Sequence, residues 1–282
     1  MGRKIRNAFL LVLTLAMVSA TAVAITWAAL DVAQTSIDEV QNKFTSGEIE
    51  AELTEIRWNK TPGTGDKNTT GNDSDQIPTT GNSGQEKAKN YSTGQEIEKN
   101  PKVANTSKTA LSEFVAIKVT YEIVLNNTSY YYTKDQFETE MAKLYKKSGG
   151  SSVQGVNDGW VTTGTATSDS NIKTDGIMYY YTSPIAQNES TARLFDYVKI
   201  NNKALSTATG HTDEYAFNVY STNAASLSNT AISGTSPVYV KGLPKFSITV
   251  QAYAISSEGY TWTANASDIK SALNKLAGIT TT

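Results

Sequence analysis

The strongest constraint on how this chain folds is the strict alternation of Val115, Ile117, Val119, Tyr121 and Ile123 with Ala116, Lys118, Thr120 and Glu122. Successive side chains of a strand point to opposite faces, so a period of two predicts a strand with one buried face. A similar pattern opens the body of the chain. Ile49, Ala51 and Leu53 alternate with Glu48, Glu50 and Glu52, and Ile56 and Trp58 continue in the opposite phase. That phase switch predicts a bulge near Thr54–Glu55. Further strand-like runs are Tyr130–Tyr132, Gly159–Thr163, Ile177–Thr182, Arg193–Ile200, Glu214–Tyr220, Val238–Val240 and Lys245–Ile255. In the last, Phe246, Ile248, Val250, Ala252 and Ala254 share one face. Strands with one wet face are the mark of antiparallel sheets.

Two stretches depart from this period. Thr133-Lys-Asp-Gln136 is a capping-box signature, followed by Phe137, Met141, Leu144 and Tyr145 at helical spacing. Ser267 can cap a second helix carrying Ile269, Leu273 and Leu276 on one stripe, with Gly278 to end it. Roughly nine strands and two short helices predict a mainly β chain, an antiparallel β-sandwich of jelly-roll type. From Asn59 to Asn100 only Ile77, Ala88, Tyr91 and Ile97 are apolar, so 59–100 is expected to be a disordered loop insertion.

The chain starts differently. Arg3, Lys4 and Arg6 precede an uncharged apolar run from Ala8 to Leu30, the pattern of an export signal. Small residues allow cleavage after Ala24 or after Ala28, and the run is also long enough for an uncleaved membrane anchor. Each alternative puts the remainder outside the cytoplasm, secreted or at the cell surface. Residues 1–28 are expected to form the signal, 29–46 a separate N-terminal segment, and 47–282 the folded body.

Composition narrows the chemistry. The 282 residues include 25 Lys+Arg and 27 Asp+Glu, and loss of the three early basic residues leaves 22 against 27, a net of −5. That balance argues against a nucleic-acid surface. No Cys and a single His remove disulfides, thiolate sites and every zinc motif that needs two His. A hydrolase reading would pair His211 with Asp213, but no G-x-S-x-G elbow presents a nucleophile, and an exposed loop histidine is the expectation. Asp66, Asn68, Thr70 and Gly71 open like a calcium loop, yet Ile77 stands where a closing Glu belongs, although Asp73 and Asp75 lie close by. Gly63–Lys67 has the wrong spacing for a phosphate loop. Tyr130–Tyr132 and Tyr179–Tyr181 offer either a glycan-binding aromatic platform or cross-strand packing. Asn-x-Ser/Thr sites at Asn68, Asn72, Asn90, Asn105, Asn127, Asn188 and Asn265 follow from a chain rich in these residues. No catalytic residue, metal ligand or cofactor is assigned.

Several segments, taken in order, carry a family resemblance. They are Thr26-Trp-Ala-Ala29, Asn42–Gly47, Glu48–Glu55, Lys99-Asn-Pro-Lys-Val-Ala-Asn-Thr106, Asp175-Gly176 before tyrosines, Thr191–Asp196, and Phe246–Ile255 with Glu258–Tyr260. Together the sequence resembles the TasA/camelysin group of secreted Gram-positive proteins. Thr93-Gly94 replaces the usual Pro-Gly before the Lys-Asn-Pro turn, and the 59–100 loop is long. The resemblance implies cleavage between Ala28 and Ala29 by a dedicated signal peptidase, SipW. It implies a non-enzymatic jelly-roll subunit polymerising with copies of itself into biofilm-matrix fibres, with an accessory matrix protein as a further partner. It also implies donor-strand exchange, the N-terminal segment of one subunit completing its neighbour's sheet. Leu30, Val32, Ile37, Val40 and Phe44 give that segment apolar side chains to bury, and a flexible leader or a segment paired within its own subunit is the alternative. The alternatives are a camelysin-like cell-surface metallopeptidase and a surface adhesin or glycan-binding module.

Overall fold

The computed structural model describes residues 43–46, 49–55, 58, 84–108, 110–162, 176–224, 227, 232 and 237–279. They form a mainly β structure in which every strand pairing is antiparallel.

The central sheet is built on β5 (Glu113–Leu125). Its order is β14 (Lys245–Ser256), β5, β10 (Ile177–Tyr181), β9 (Trp160–Thr162), with β6 (Thr128–Tyr132) also pairing β5. A second sheet runs β1 (Lys43–Ser46), β2 (Ile49–Thr54), β4 (Lys102–Asn105). A third runs β3 (Glu96–Glu98), β11 (Tyr197–Ile200), β7 (Ala142–Ser148), β8 (Ser151–Gln154). A small sheet joins β12 (Tyr215–Phe217) to β13 (Val238–Val240).

The alternation in β5 has a direct physical reading. Val115, Ile117, Val119, Tyr121 and Ile123 enter the main apolar core with Ala51, Val103, Leu144 and Val198 from the other two larger sheets. Burying each large apolar side chain contributes about 1.5–3 kcal/mol. The opposite face is wet only over the second half of β5. Phe114 and Ala116 join a smaller core with Met178, Tyr180, Tyr253, Ile269 and Leu273. The helix α3 (Trp262–Leu276) supplies Ile269 and Leu273 to it.

The helices α1 (Gly84–Lys89) and α2 (Lys134–Glu140) precede α3 in the chain. Thr133 caps α2 as expected: its Oγ1 accepts from the Gln136 N–H at 3.3 Å, and Gln136 Oε1 accepts from the Thr133 N–H at 3.0 Å. The helix stops at Glu140, however, and Leu144 and Tyr145 belong to β7. Alternation of Ala142 and Leu144 serves a strand, and β11 pairs with their backbone. At the other end of the chain, α3 starts at Trp262 rather than near Ser267, with a kink at Asn265. Gly278 (φ +70) ends it as expected: the Ile279 N–H reaches Asn274 O at 2.8 Å and the Gly278 N–H reaches Lys275 O at 3.2 Å. Leu276 is exposed, so only two of the three expected stripe residues are core.

Residues 84–100 correct the expectation of a disordered 59–100 loop. Ala88 and Ile97 are buried, and Tyr91 packs edge-on against Phe246 at 5.3 Å. Three of the four apolar residues in that polar stretch suffice because they pack into the main core with the residues of the larger sheets. Gly84 is required there, since a Cβ would lie 1.8 Å from Glu98 O. The bulge expected at Thr54–Glu55 is instead a strand end: β2 stops at Thr54, and the Trp58 N–H turns back to Glu55 O at 2.9 Å.

Candidate functional site

Among the described residues, β14 is the longest strand at the end of a sheet. It pairs with β5 from Lys245↔Val124 to Ser256↔Glu113, and among the described residues no strand pairs with its other side. Its sequence, KFSITVQAYAIS, carries a single charge, at the first residue, and no proline. Sheet edges that must stay unpaired in water are usually short, charged or interrupted by Pro. β14 has none of these guards along its length. Phe246, Ile248, Val250 and Ala252 hold it in the main core, while Tyr253 Oη donates to Gln251 Oε1 at 3.0 Å on the opposite face.

At the Ser256 end of β14 lies a buried polar cluster. Asn105 Nδ2 donates to Leu111 O at 2.8 Å and to Ile185 O at 3.0 Å, and its Oδ1 accepts from the Ser107 N–H at 3.0 Å. Ser107 Oγ donates to Glu113 Oε1 at 2.6 Å and accepts from the Glu50 N–H at 2.9 Å. Burial pushes the Glu113 carboxyl up to about 7, against the lowering effect of the Ser107 hydrogen bond. These contacts tie β2, β4 and β5 together at one corner.

A second buried cluster sits at the start of the Lys99–Thr106 turn. Lys99 Nζ lies 2.8 Å from Glu55 Oε1 and 2.9 Å from Oε2, and 4.9 Å from the centre of a Trp58 ring. Both charged side chains are essentially inaccessible, at 0% and 1% exposure. Burial raises the Glu55 carboxyl and lowers the Lys99 amine, each opposed by the attraction of its partner. The sequence motif marked the turn but gave no sign of this pair, whose members stand 44 positions apart.

Of the segment assigned to polymerisation, only Phe44 falls among the described residues. Its backbone lies in β1 opposite Ala51 of the same chain. Leu30, Val32, Ile37 and Val40, and the cleavage residues Ala28 and Ala29, lie outside the described residues. So do the calcium-like stretch Asp66–Ile77, the Gly63–Lys67 stretch, Asn68 and Asn72. Among the described residues no helix is long and apolar enough to cross a membrane.

The catalytic and ligand candidates take other roles. His211 Nδ1 pairs with Glu214 at 2.5 Å, while Asp213 faces Lys241 at 3.5 Å, so the His211–Asp213 pairing that a hydrolase reading needs is not made. The imidazole stacks on Tyr239 at 3.8 Å between centroids, so it fixes a loop against β13. No group of three or more His, Cys, Asp or Glu among the described residues is placed to hold a metal ion. Tyr179 and Tyr180 are buried on opposite faces of β10, in the main and smaller cores respectively. Tyr181 leans on Trp160 at 5.1 Å, and Tyr132 is buried beside Tyr220. Neither tyrosine trio presents three rings on one surface.

The class these observations define is a mainly β protein of antiparallel sheets, with one long end strand that lacks a second strand partner among the described residues. Comparison with protein-family models, with curated proteins and with solved structures gives no match.

Proposed function

We propose that this chain is a secreted structural protein of jelly-roll type that polymerises into extracellular matrix fibres by donor-strand exchange. The observation that carries this reading is the edge of β14: twelve residues of nearly uncharged strand with no strand partner on one side among the described residues. Adding a strand there satisfies a row of backbone donors and acceptors at once and covers apolar side chains. The donor comes from the residues ahead of Lys43, where Leu30, Val32, Ile37 and Val40 supply apolar side chains. Lys43–Ser46 itself is already paired with β2. Addition of this kind is head-to-tail and does not close, so it yields filaments. The ordered resemblance to the TasA/camelysin group supports the same reading, with export and signal cleavage preceding assembly.

Electron microscopy of a chain starting at Ala29, beside one starting at Lys43, tests the proposal. The second keeps β1 and its pairing, so the fold is not cut. Filaments are expected from the longer chain alone. If both remain monomeric, or both polymerise equally, the donor assignment is wrong.

A further inference from the structure

Lys99 and Glu55 hold an amine and a carboxyl in contact, 2.8 and 2.9 Å from nitrogen to the two oxygens, with no measurable access to water on the lysine. An isolated buried ion pair is a poor stabiliser, because desolvating two charges offsets much of their attraction. Both groups are also held from outside the pair. The turn from Glu55 to Trp58 closes with a 2.9 Å backbone hydrogen bond, and the Lys99 N–H reaches Asp196 O at 3.4 Å. Such positioning turns a bimolecular condensation into an intramolecular one, with a large gain in effective concentration.

We propose that this site is a covalent modification site, where Lys99 Nζ and Glu55 Cδ condense into an intramolecular amide. The Nζ–Cδ bond forms and one Cδ–O bond breaks. Of the three ammonium hydrogens, one stays on the amide nitrogen and two leave with the departing oxygen as water. No oxidant, metal or activated co-reactant enters the balance. Rotation about the glutamate Cγ–Cδ bond is soft and turns the carboxyl face toward the amine.

The surroundings favour the step. Burial lowers the lysine and raises the glutamate, so the pair is pushed toward neutral amine and neutral acid, the forms that condense. The product is uncharged, which removes the cost of keeping two ions out of water. The Trp58 ring can cover an amide N–H as it covers the ammonium. The tie closes the chain between β2 and β3 in a protein with no cysteine. A cross-link at the base of a long loop restricts the unfolded chain, as a disulfide does.

Peptide mapping of the folded, full processed chain by mass spectrometry tests this. The expected result is a branched peptide joining the Lys99 and Glu55 segments, lighter by one water than their sum, with trypsin failing to cut after Lys99. Glu55→Ala is expected to release an ordinary, cleavable Lys99 peptide, whether or not that variant folds. Recovery of unlinked Lys99 and Glu55 peptides from the folded wild-type chain overturns the proposal. A cross-link at Lys99 that survives in Glu55→Ala overturns the assignment of its partner.

Discussion

Two of the strands that end sheets among the described residues, β8 and β14, are built differently. β8 is four residues long, is exposed at every position, and follows β7 through Gly149 and Gly150 in the left-handed region at φ +56 and +83. Lys146 and Lys147 of β7 lie opposite Val153 and Ser152, beside that edge. β14 is three times as long, carries its only charge at its first residue, and has side chains in both cores. Short, polar and lysine-flanked edges resist pairing with another chain, whereas long uncharged ones invite it. On the reading proposed above, the contrast separates an edge finished within the chain from one that takes a partner.

The largest effect on this comparison comes from the layer beneath both edges. Phe137 packs on Tyr121 at 4.8 Å and on Phe246 at 5.7 Å, bridging β5 and β14. Phe137→Ala is expected to cost about 3–5 kcal/mol in denaturant unfolding. It should lower amide protection in β8 and β14 together. Loss confined to one edge would show that the two do not share a core.

Gly84→Ala comes next. Its new Cβ meets the backbone at Glu98, so α1 must shift from β3, at a cost of about 1–3 kcal/mol. This reaches the β3–β11–β7–β8 sheet and leaves the β14 edge intact, so filament formation by the folded fraction is expected to persist.

Glu113 offers a test at the end of β14, opposite Ser256. Its folded value of about 7 lies above the ordinary carboxyl value of 4.5, chiefly through burial. The folded state therefore binds the proton more tightly than the unfolded chain. This contribution is fully present below the ordinary value and is lost as pH rises through about 7. Glu113→Gln removes the titration, so its stability relative to wild type should rise between about pH 5 and 8 in urea unfolding. A flat difference across that range would contradict the buried carboxyl.

The smallest effect is expected on the finished edge. Val153 is 44% exposed, and Val153→Lys should change stability by no more than about 0.5 kcal/mol and leave filament yield unchanged. Reduced assembly would move the interface to β8.

What was legible in the sequence was what local pattern determines. β5 and β14 alternate so regularly that one core face could be listed in advance, and Thr133 and Gly278 marked two helix ends through backbone chemistry. Phe137, Met141, Leu144 and Tyr145 satisfy helical spacing as well as the strand alternation that starts at Ala142, so spacing alone carries the helix into β7. Only pairing of Leu144 with Val198, far along the chain, decides between them. Segment 84–100 looked too polar to order, since a composition argument counts what a segment buries alone and not what it docks against. The Lys99–Glu55 pair left no signal because a buried ion pair has no spacing rule. His211 chose Glu214 over Asp213 through loop geometry, which sequence adjacency does not resolve. The place of β14 at the end of its sheet rests on topology, and period-two alternation alone never reveals which strand ends a sheet.

Hydrogen exchange measured on the monomer and on the assembled filament tests the central claim most directly. The account predicts that assembly adds protection to amides of Lys245–Ser256 that face away from β5, while Ser151–Gln154 exchanges as before. Unchanged exchange along β14 in filaments, or new protection at β8 instead, would contradict it.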